Sequence, residues 1–188
     1  MTAPFAIAAF FVFLAEMGDK TQLVALAFAT RYNARVVLAG VFVATLLVHL
    51  VSVALGEAAG TVIPDFWIKL VSGIAFIAFG IWTIYGDEIG NESQGSEHSL
   101  GPLMTVAITF FLAELGDKTM LATITIASEQ RQFVAVWLGS TLGMVLADGL
   151  AIIIASRMRR RLPEKLIRYG ASAIFIGSGI LTIVRLSS

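Results

Sequence analysis

The sequence predicts an all-α integral membrane protein whose six transmembrane helices form two inverted three-helix repeats. Three observations lead there. Apolar runs cover almost the whole chain, a nine-residue motif occurs twice, and each copy of the motif heads an odd number of apolar runs.

The chain has 188 residues, 57% apolar and 14% charged. Water-soluble domains carry about 25% charged residues, so a single aqueous fold is a poor match. Several runs are long enough to cross a hydrocarbon core of about 30 Å. A formal net charge of zero gives no pointer to nucleic acid. With no cysteine, disulfides, thiolate metal sites and thiol nucleophiles are excluded within the chain. No charged residue precedes Glu16, so the first run lacks the basic flank of a cleavable signal peptide and is expected to be a retained helix.

The six helices are expected at residues 4–30, 35–59, 66–86, 101–127, 133–156 and 164–185. Arg31, Asn33 and Arg35 mark the first break, and Gly60, Pro64 and Asp65 the second. Residues 87–100 carry Asp87, Glu88, Glu92, Glu97 and His98 among Gly and Ser, the composition of a solvated linker. Glu129, Gln130 and Arg131 form the fourth break. The fifth holds Arg157, Arg159, Arg160, Arg161, Pro163, Glu164, Lys165 and Arg168.

Residues 13–21 read FLAEMGDKT and residues 111–119 read FLAELGDKT. Farther on, Pro64 aligns with Pro163, Gly80-Ile81 with Gly179-Ile180, and Thr83-Ile84 with Thr182-Ile183. The expected division is 1–86 as the first repeat, 87–100 as an acidic cytoplasmic linker and 101–188 as the second repeat. Three crossings per repeat reverse the orientation of the second, an architecture in which secondary transporters build one site from two halves. Arg31, Arg35 and the Arg-rich fifth break collect on one side, against Lys69, Arg131 and Arg185 on the other. The positive-inside rule then puts both termini in the periplasm or its equivalent.

Charged residues sit inside the first and fourth runs: Glu16, Asp19 and Lys20, then Glu114, Asp117 and Lys118. Each costs about 2.5–3.5 kcal/mol at mid-bilayer on insertion scales, so they must face protein or a wet cavity. In a continuous helix, positions 16, 19 and 20 would share one side, with Glu16 and Lys20 a turn apart. Gly18 and Gly116 are suited either to close helix approach or to local unwinding. Thr21 and Thr119 add hydroxyls. Gln22 adds an amide that the second half replaces with the thioether of Met120, a poor ligand for a hard cation.

Inversion brings both motifs to one depth. Four carboxylates against two lysines leave a deficit of two charges, which a divalent cation would neutralise. Carboxylate, hydroxyl and amide oxygens suit calcium, magnesium or manganese better than zinc or copper. Carboxylates that crowd together repel, so proton and metal binding should compete. The plainer reading makes each Glu–Lys pair a structural salt bridge; two opposed copies, each with an added Asp, weigh against it. The lysines fit charge partners better than ligands.

Asp148 lies within the fifth helix, at the place of His49 in the second, and is a candidate further ligand, proton relay or partner of a cation. His49 reads as a satisfied interior histidine, and Glu57 as a helix-end residue that reaches water. The Gly139-x-x-x-Gly143 and Gly56-x-x-x-Gly60 spacings suit close helix packing. The Arg157–Arg161 cluster is a topology signal, with anionic-lipid contact as the alternative.

The duplicated motif, Glu16-Met17-Gly18-Asp19-Lys20-Thr21 and Glu114-Leu115-Gly116-Asp117-Lys118-Thr119, matches E-x-G-D-[KR]-[TS] in both copies. With its helix count, acidic linker and inverted repeat, the chain resembles over essentially its whole length the Gdt-type calcium/manganese cation:proton antiporter family, formerly uncharacterised protein family 0016. The resemblance implies a small transporter, not an enzyme, that exchanges Mn2+ or Ca2+ for protons. Glu16, Asp19, Glu114 and Asp117 would hold the ion, supported by Lys20, Thr21, Gln22, Lys118, Thr119 and Asp148. No cofactor is implied, and the metal is cargo. Bacterial members look like manganese exporters. This compact chain has no N-terminal extension of the eukaryotic kind, so a bacterial inner membrane is the expected location. A monomer suffices for a complete site; a dimer is compatible.

Two competing functions stay open on the residues alone. One keeps the fold and moves a cationic metabolite such as a basic amino acid. The other is an intramembrane hydrolase with Asp19 and Asp117 as an acid/base dyad, which the neighbouring lysines disfavour because they stabilise ionised carboxylates.

Overall fold

The computed structural model describes residues 2–85, 101–158 and 164–186, and every element among them is helical. The predicted linker at 87–100, together with Arg159, Arg160, Arg161 and Pro163, lies outside the described residues. The helices are α1 (Thr2–Glu16), α2 (Lys20–Arg31), α3 (Ala34–Val62), α4 (Asp65–Tyr85), α5 (Gly101–Glu114), α6 (Lys118–Gln130), α7 (Phe133–Met158) and α8 (Glu164–Val184). Four of the six expected helices correspond to α3, α4, α7 and α8. The first and fourth are corrected: each is two helices separated by a three-residue break inside the repeated motif.

Local chemistry explains the ends. Asn33 caps α3 by accepting the Arg35 N–H at 2.9 Å. α3 stops at Val62 because Ile63 precedes Pro64 and is extended, with φ −91° and ψ 132°. Asp65 then opens α4, where negative charge favours a helix start. α6 closes with Arg131 in the left-handed region, φ 49°, its N–H returning to the Ala127 carbonyl.

α3 and α7 are each long and apolar enough to cross a membrane. The surface is inverted relative to a water-soluble protein. Phe42, Leu47, Leu55, Leu138, Leu146 and Leu150 lie on the outside, while Glu16, Glu114 and Asp148 are at most 1% exposed. An apolar exterior over a charged interior fits a lipid surround.

The main helix pairings map onto themselves when α1–α4 exchange with α5–α8. α1 packs on α7 as α5 packs on α3, α6 packs on α3 as α2 packs on α7, and α4 pairs with α8. Small residues let the pairs close. A Cβ at Gly139 or Gly143 would collide with the Phe5 or Ala9 carbonyl of α1. At the α4–α8 seam, Gly80 abuts the Ser172 carbonyl and its repeat equivalent Gly179 abuts the carbonyl of Gly73. Beside that seam Phe11 stacks on Phe76 at 5.1 Å, and Phe175 joins them. A second apolar cluster, with Phe28, Val41, Phe110 and Ile152, ties α2, α3, α5 and α7 together. Along the chain, each motif break falls between a residue of one cluster and a residue of the other: Ala15 and Ala25 around the first, Phe110 and Ala122 around the second.

Candidate functional site at the two helix breaks

Both motifs fold the same way. α1 ends at Glu16 and α5 at Glu114, and then Gly18 and Gly116 take φ of +79° and +81°. An L side chain would bear roughly 1–2 kcal/mol of strain in that left-handed region; glycine does not. The Asp19 N–H turns back to the Glu16 carbonyl at 3.1 Å, and the Asp117 N–H to the Glu114 carbonyl at 3.2 Å. A new helix then starts at Lys20 and at Lys118. Each aspartate thus stands at a half-helix N-terminus, where unpaired N–H groups favour negative charge. Asp117 is the N-cap residue of α6 and makes no side-chain cap hydrogen bond.

The break overturns one expectation. Glu16, Asp19 and Lys20 do not share a side of one continuous helix, because α1 has ended before Asp19. The Lys20 side chain lies outside the described residues. The ion pair seen here crosses between halves instead: Lys118 Nζ is 3.1 Å from Asp19 Oδ1. A second crossing contact runs from the Thr119 hydroxyl to Glu16 Oε2 at 3.3 Å. Thr21 donates to the other oxygen, Glu16 Oε1. Carboxylates of the first motif are therefore held by side chains of the second.

Glu114 is placed differently. It is 1% exposed, and neither carboxylate oxygen has a hydrogen-bond partner among the described residues. The same holds for Asp148, buried in α7. Glu114 lies within repulsive range of Glu16, Asp117, Asp19 and Asp148, and Asp148 within range of Glu16. Five carboxyl groups thus share one water-poor region. Among the described residues no three of the acidic or histidine side chains converge closely enough to grip one metal ion. The groups are gathered, not preassembled into a cage. Buried carboxylates without partners call for neutralisation by a proton or a cation.

Gln22 is buried in α2. Its Oε1 accepts the Gly18 N–H at 2.9 Å and its Nε2 donates to the Ala147 carbonyl of α7 at 3.2 Å. His49 is fully buried in α3, and neither ring nitrogen has a hydrogen-bond partner among the described residues, so it is not the satisfied histidine expected. Glu57 is half-buried near the end of α3. The side chain of Arg157 lies outside the described residues. Sequence reasoning missed the crossing pairs Lys118–Asp19 and Thr119–Glu16. The repeat implied that the motifs meet, but carried no information on which side chains would touch.

A family profile described as "Divalent cation/proton antiporter GDT1" matches residues 4–91 and 102–188. A protein of Vibrio cholerae named "Putative manganese exporter" is 33% identical over 91% of this chain and 86% of its own length. GDT1-like protein 4 of Arabidopsis thaliana is 26% identical over 89% of this chain and 90% of its own length. The chloroplastic GDT1-like protein 1 of Oryza sativa subsp. japonica is 26% identical over 97% of this chain and 62% of its own. No solved structure matches.

Proposed function

The chain belongs to the divalent cation/proton antiporter family GDT1, and from that premise we propose that it moves Mn2+, and also Ca2+, across a bacterial inner membrane in exchange for protons. Glu16, Asp19, Glu114 and Asp117 bind the cation, with Asp148 as a fifth carboxyl group in reach. Lys118 and Lys20 balance charge when the cation is absent, and Thr21 and Thr119 orient the carboxylates. The Vibrio relative's name supports manganese as cargo.

One observation carries this reading: the breaks of both halves interlock, so that Lys118 meets Asp19 and Thr119 meets Glu16. A site shared by two halves can change its access when one half moves against the other. Loading a cation among the repelling carboxylates releases protons from them, and unloading takes protons up. That competition couples the two fluxes without a further device. The six-span inverted topology, with both termini periplasmic and the 87–100 linker cytoplasmic, belongs to the same proposal. It is supported by the odd number of long apolar runs per repeat, the exchange-invariant helix pairings and the arginine-rich side.

The test is Mn2+ flux into proteoliposomes under an imposed proton gradient, with Asp19→Asn and Glu114→Gln beside the wild type. Gradient-driven flux that both variants lack supports the proposal. Flux that survives in both, or an absence of Mn2+ and Ca2+ flux from folded wild-type protein, overturns it; displacement of bound metal by lysine or arginine would then favour a cationic metabolite.

A further inference from the structure

The repeat departs from itself at one position beside each break: Gln22 in the first half stands where Met120 stands in the second. The first break is clamped. From the Gly18 N–H, next to Asp19, hydrogen bonds run through the Gln22 amide to the Ala147 carbonyl, next to Asp148. Gln22 is 3% exposed and its bond to the Ala147 carbonyl is buried, so water does not compete there, while the bond at Gly18 is part-buried.

In the second break the glycine end of that clamp is weaker and the bridge to the neighbouring long helix is lacking. The Gly116 N–H meets Met120 Sδ at 3.3 Å, and a thioether is a weak acceptor with no N–H to pass on. The carbonyl equivalent to Ala147 is that of Val48, and the Ser52 hydroxyl already donates to it at 2.7 Å. In α7 the residue equivalent to Ser52 is Ala151, which leaves the Ala147 carbonyl open to Gln22. The first half thus has a strong acceptor for the glycine N–H and a bridge to the long helix beside it, whereas the second has a weak acceptor and no bridge.

Packing differs in the complementary sense. α6 seats closely on α3, where a Cβ at Gly56 or Gly60 would collide with the Ile124 or Ser128 carbonyl. α7 carries Ala155 where α3 has Gly56, so the glycine that seats α6 on α3 has no counterpart in the other half. α2 is therefore held near its N-terminal end by Gln22 and farther along by the apolar cluster around Phe28, whereas α6 is seated on α3 with no side-chain bridge from its own break to that helix.

We infer that Gln22 is a positioning residue: it fixes the Asp19 half-site against α7, and the unclamped Gly116 break is the one that rearranges during the transport cycle. This rests on the cation-exchange reading for its functional consequence, but its structural core does not. Two measurements on the full-length protein separate them.

Amide hydrogen exchange needs no substrate. In the wild type, Gly18 should exchange about tenfold more slowly than Gly116, the effect of a hydrogen bond or two. Gln22→Met should erase that difference. The double variant Met120→Gln/Ser52→Ala, which installs the missing donor and frees the Val48 carbonyl, should slow exchange at Gly116. Equal exchange at the two glycines in the wild type would overturn the clamp.

Flux then reads the role. Gln22→Met should raise KM for Mn2+ about tenfold and lower kcat much less, because the half-site is no longer preorganised. Met120→Gln/Ser52→Ala should lower kcat with little change in KM, because the moving break is now held. A purely structural Gln22 would lower the amount of folded protein and leave KM alone, and that result overturns the positioning role. Wild-type protein that shows the exchange difference and moves neither Mn2+ nor Ca2+ would overturn the cation reading and keep the clamp.

Discussion

Lys118 opens α6 in the second half of the chain, and its ammonium lies 3.1 Å from Asp19 Oδ1 in the first. Their side chains are only 6% and 0% exposed. Removing one member of such a pair strands the other's charge in a water-poor interior, which typically costs about 3–5 kcal/mol. Replacing both together removes the problem along with the interaction. Lys118→Met should therefore lower the thermal unfolding temperature in detergent strongly. Asp19→Asn/Lys118→Met should recover most of that loss and still fail to transport. Recovery of flux in the double variant would mean that Asp19 serves the fold alone.

Glu114 predicts the opposite sign. Its carboxylate has no hydrogen-bond partner among the described residues and faces four other carboxyl groups. Glu114→Gln keeps the shape and removes the repulsion, so the protein should unfold at an equal or higher temperature while Mn2+ flux falls at least roughly tenfold. Stability gained at the expense of activity is the pattern of a residue retained for function.

Thr119→Val removes one cross-half hydrogen bond to Glu16 and keeps the side-chain volume. Thr21 still donates to the same carboxylate. The stability loss should stay near 1 kcal/mol. If the crossing contact orients Glu16 for the cation, KM for Mn2+ should rise severalfold, measured by initial rates. An unchanged KM would assign the contact to packing.

Two glycines separate conformation from space. Nothing lies within 4 Å of a Cβ built on Gly116, yet its φ is +81°. Gly116→Ala should thus lower flux through backbone strain of roughly 1–2 kcal/mol, with no steric clash to relieve. Gly143 is regular helix, but its Cβ would strike the Ala9 carbonyl. Gly143→Ala should separate α1 from α7 and lower thermal stability by about 1–3 kcal/mol. The two variants together test whether a glycine serves the turn or the seam.

The parts of this molecule that follow from periodicity were legible in the chain. Long apolar runs located α3, α4, α7 and α8, and the Gly139/Gly143 spacing announced a close seam whose partner, α1, only the folded chain identifies. The breaks at Gly18 and Gly116 were not decided by sequence, since a glycine between charged residues in an apolar run serves close packing as well as unwinding. Once the helix breaks, the spacing of Glu16 and Lys20 loses its meaning, and the pairing passes to Lys118 of the other half. Gln22 was visible as an amide near Asp19. That it also bonds to the Ala147 carbonyl depends on α7 lying alongside, a tertiary fact with no local trace.

The difference between Gln22 and Met120 also bears on heredity. In an assembly of two identical copies, one gene supplies both breaks, and a mutation at that position changes them together. Joined in a single chain, the two positions mutate separately, so one can acquire a hydrogen-bonding side chain while its counterpart does not. Fusion thus opens to selection a division of labour that identical subunits cannot inherit. Ser52 and Ala151 differ in the same direction, so the divergence reaches the partner carbonyls as well as the clamp itself.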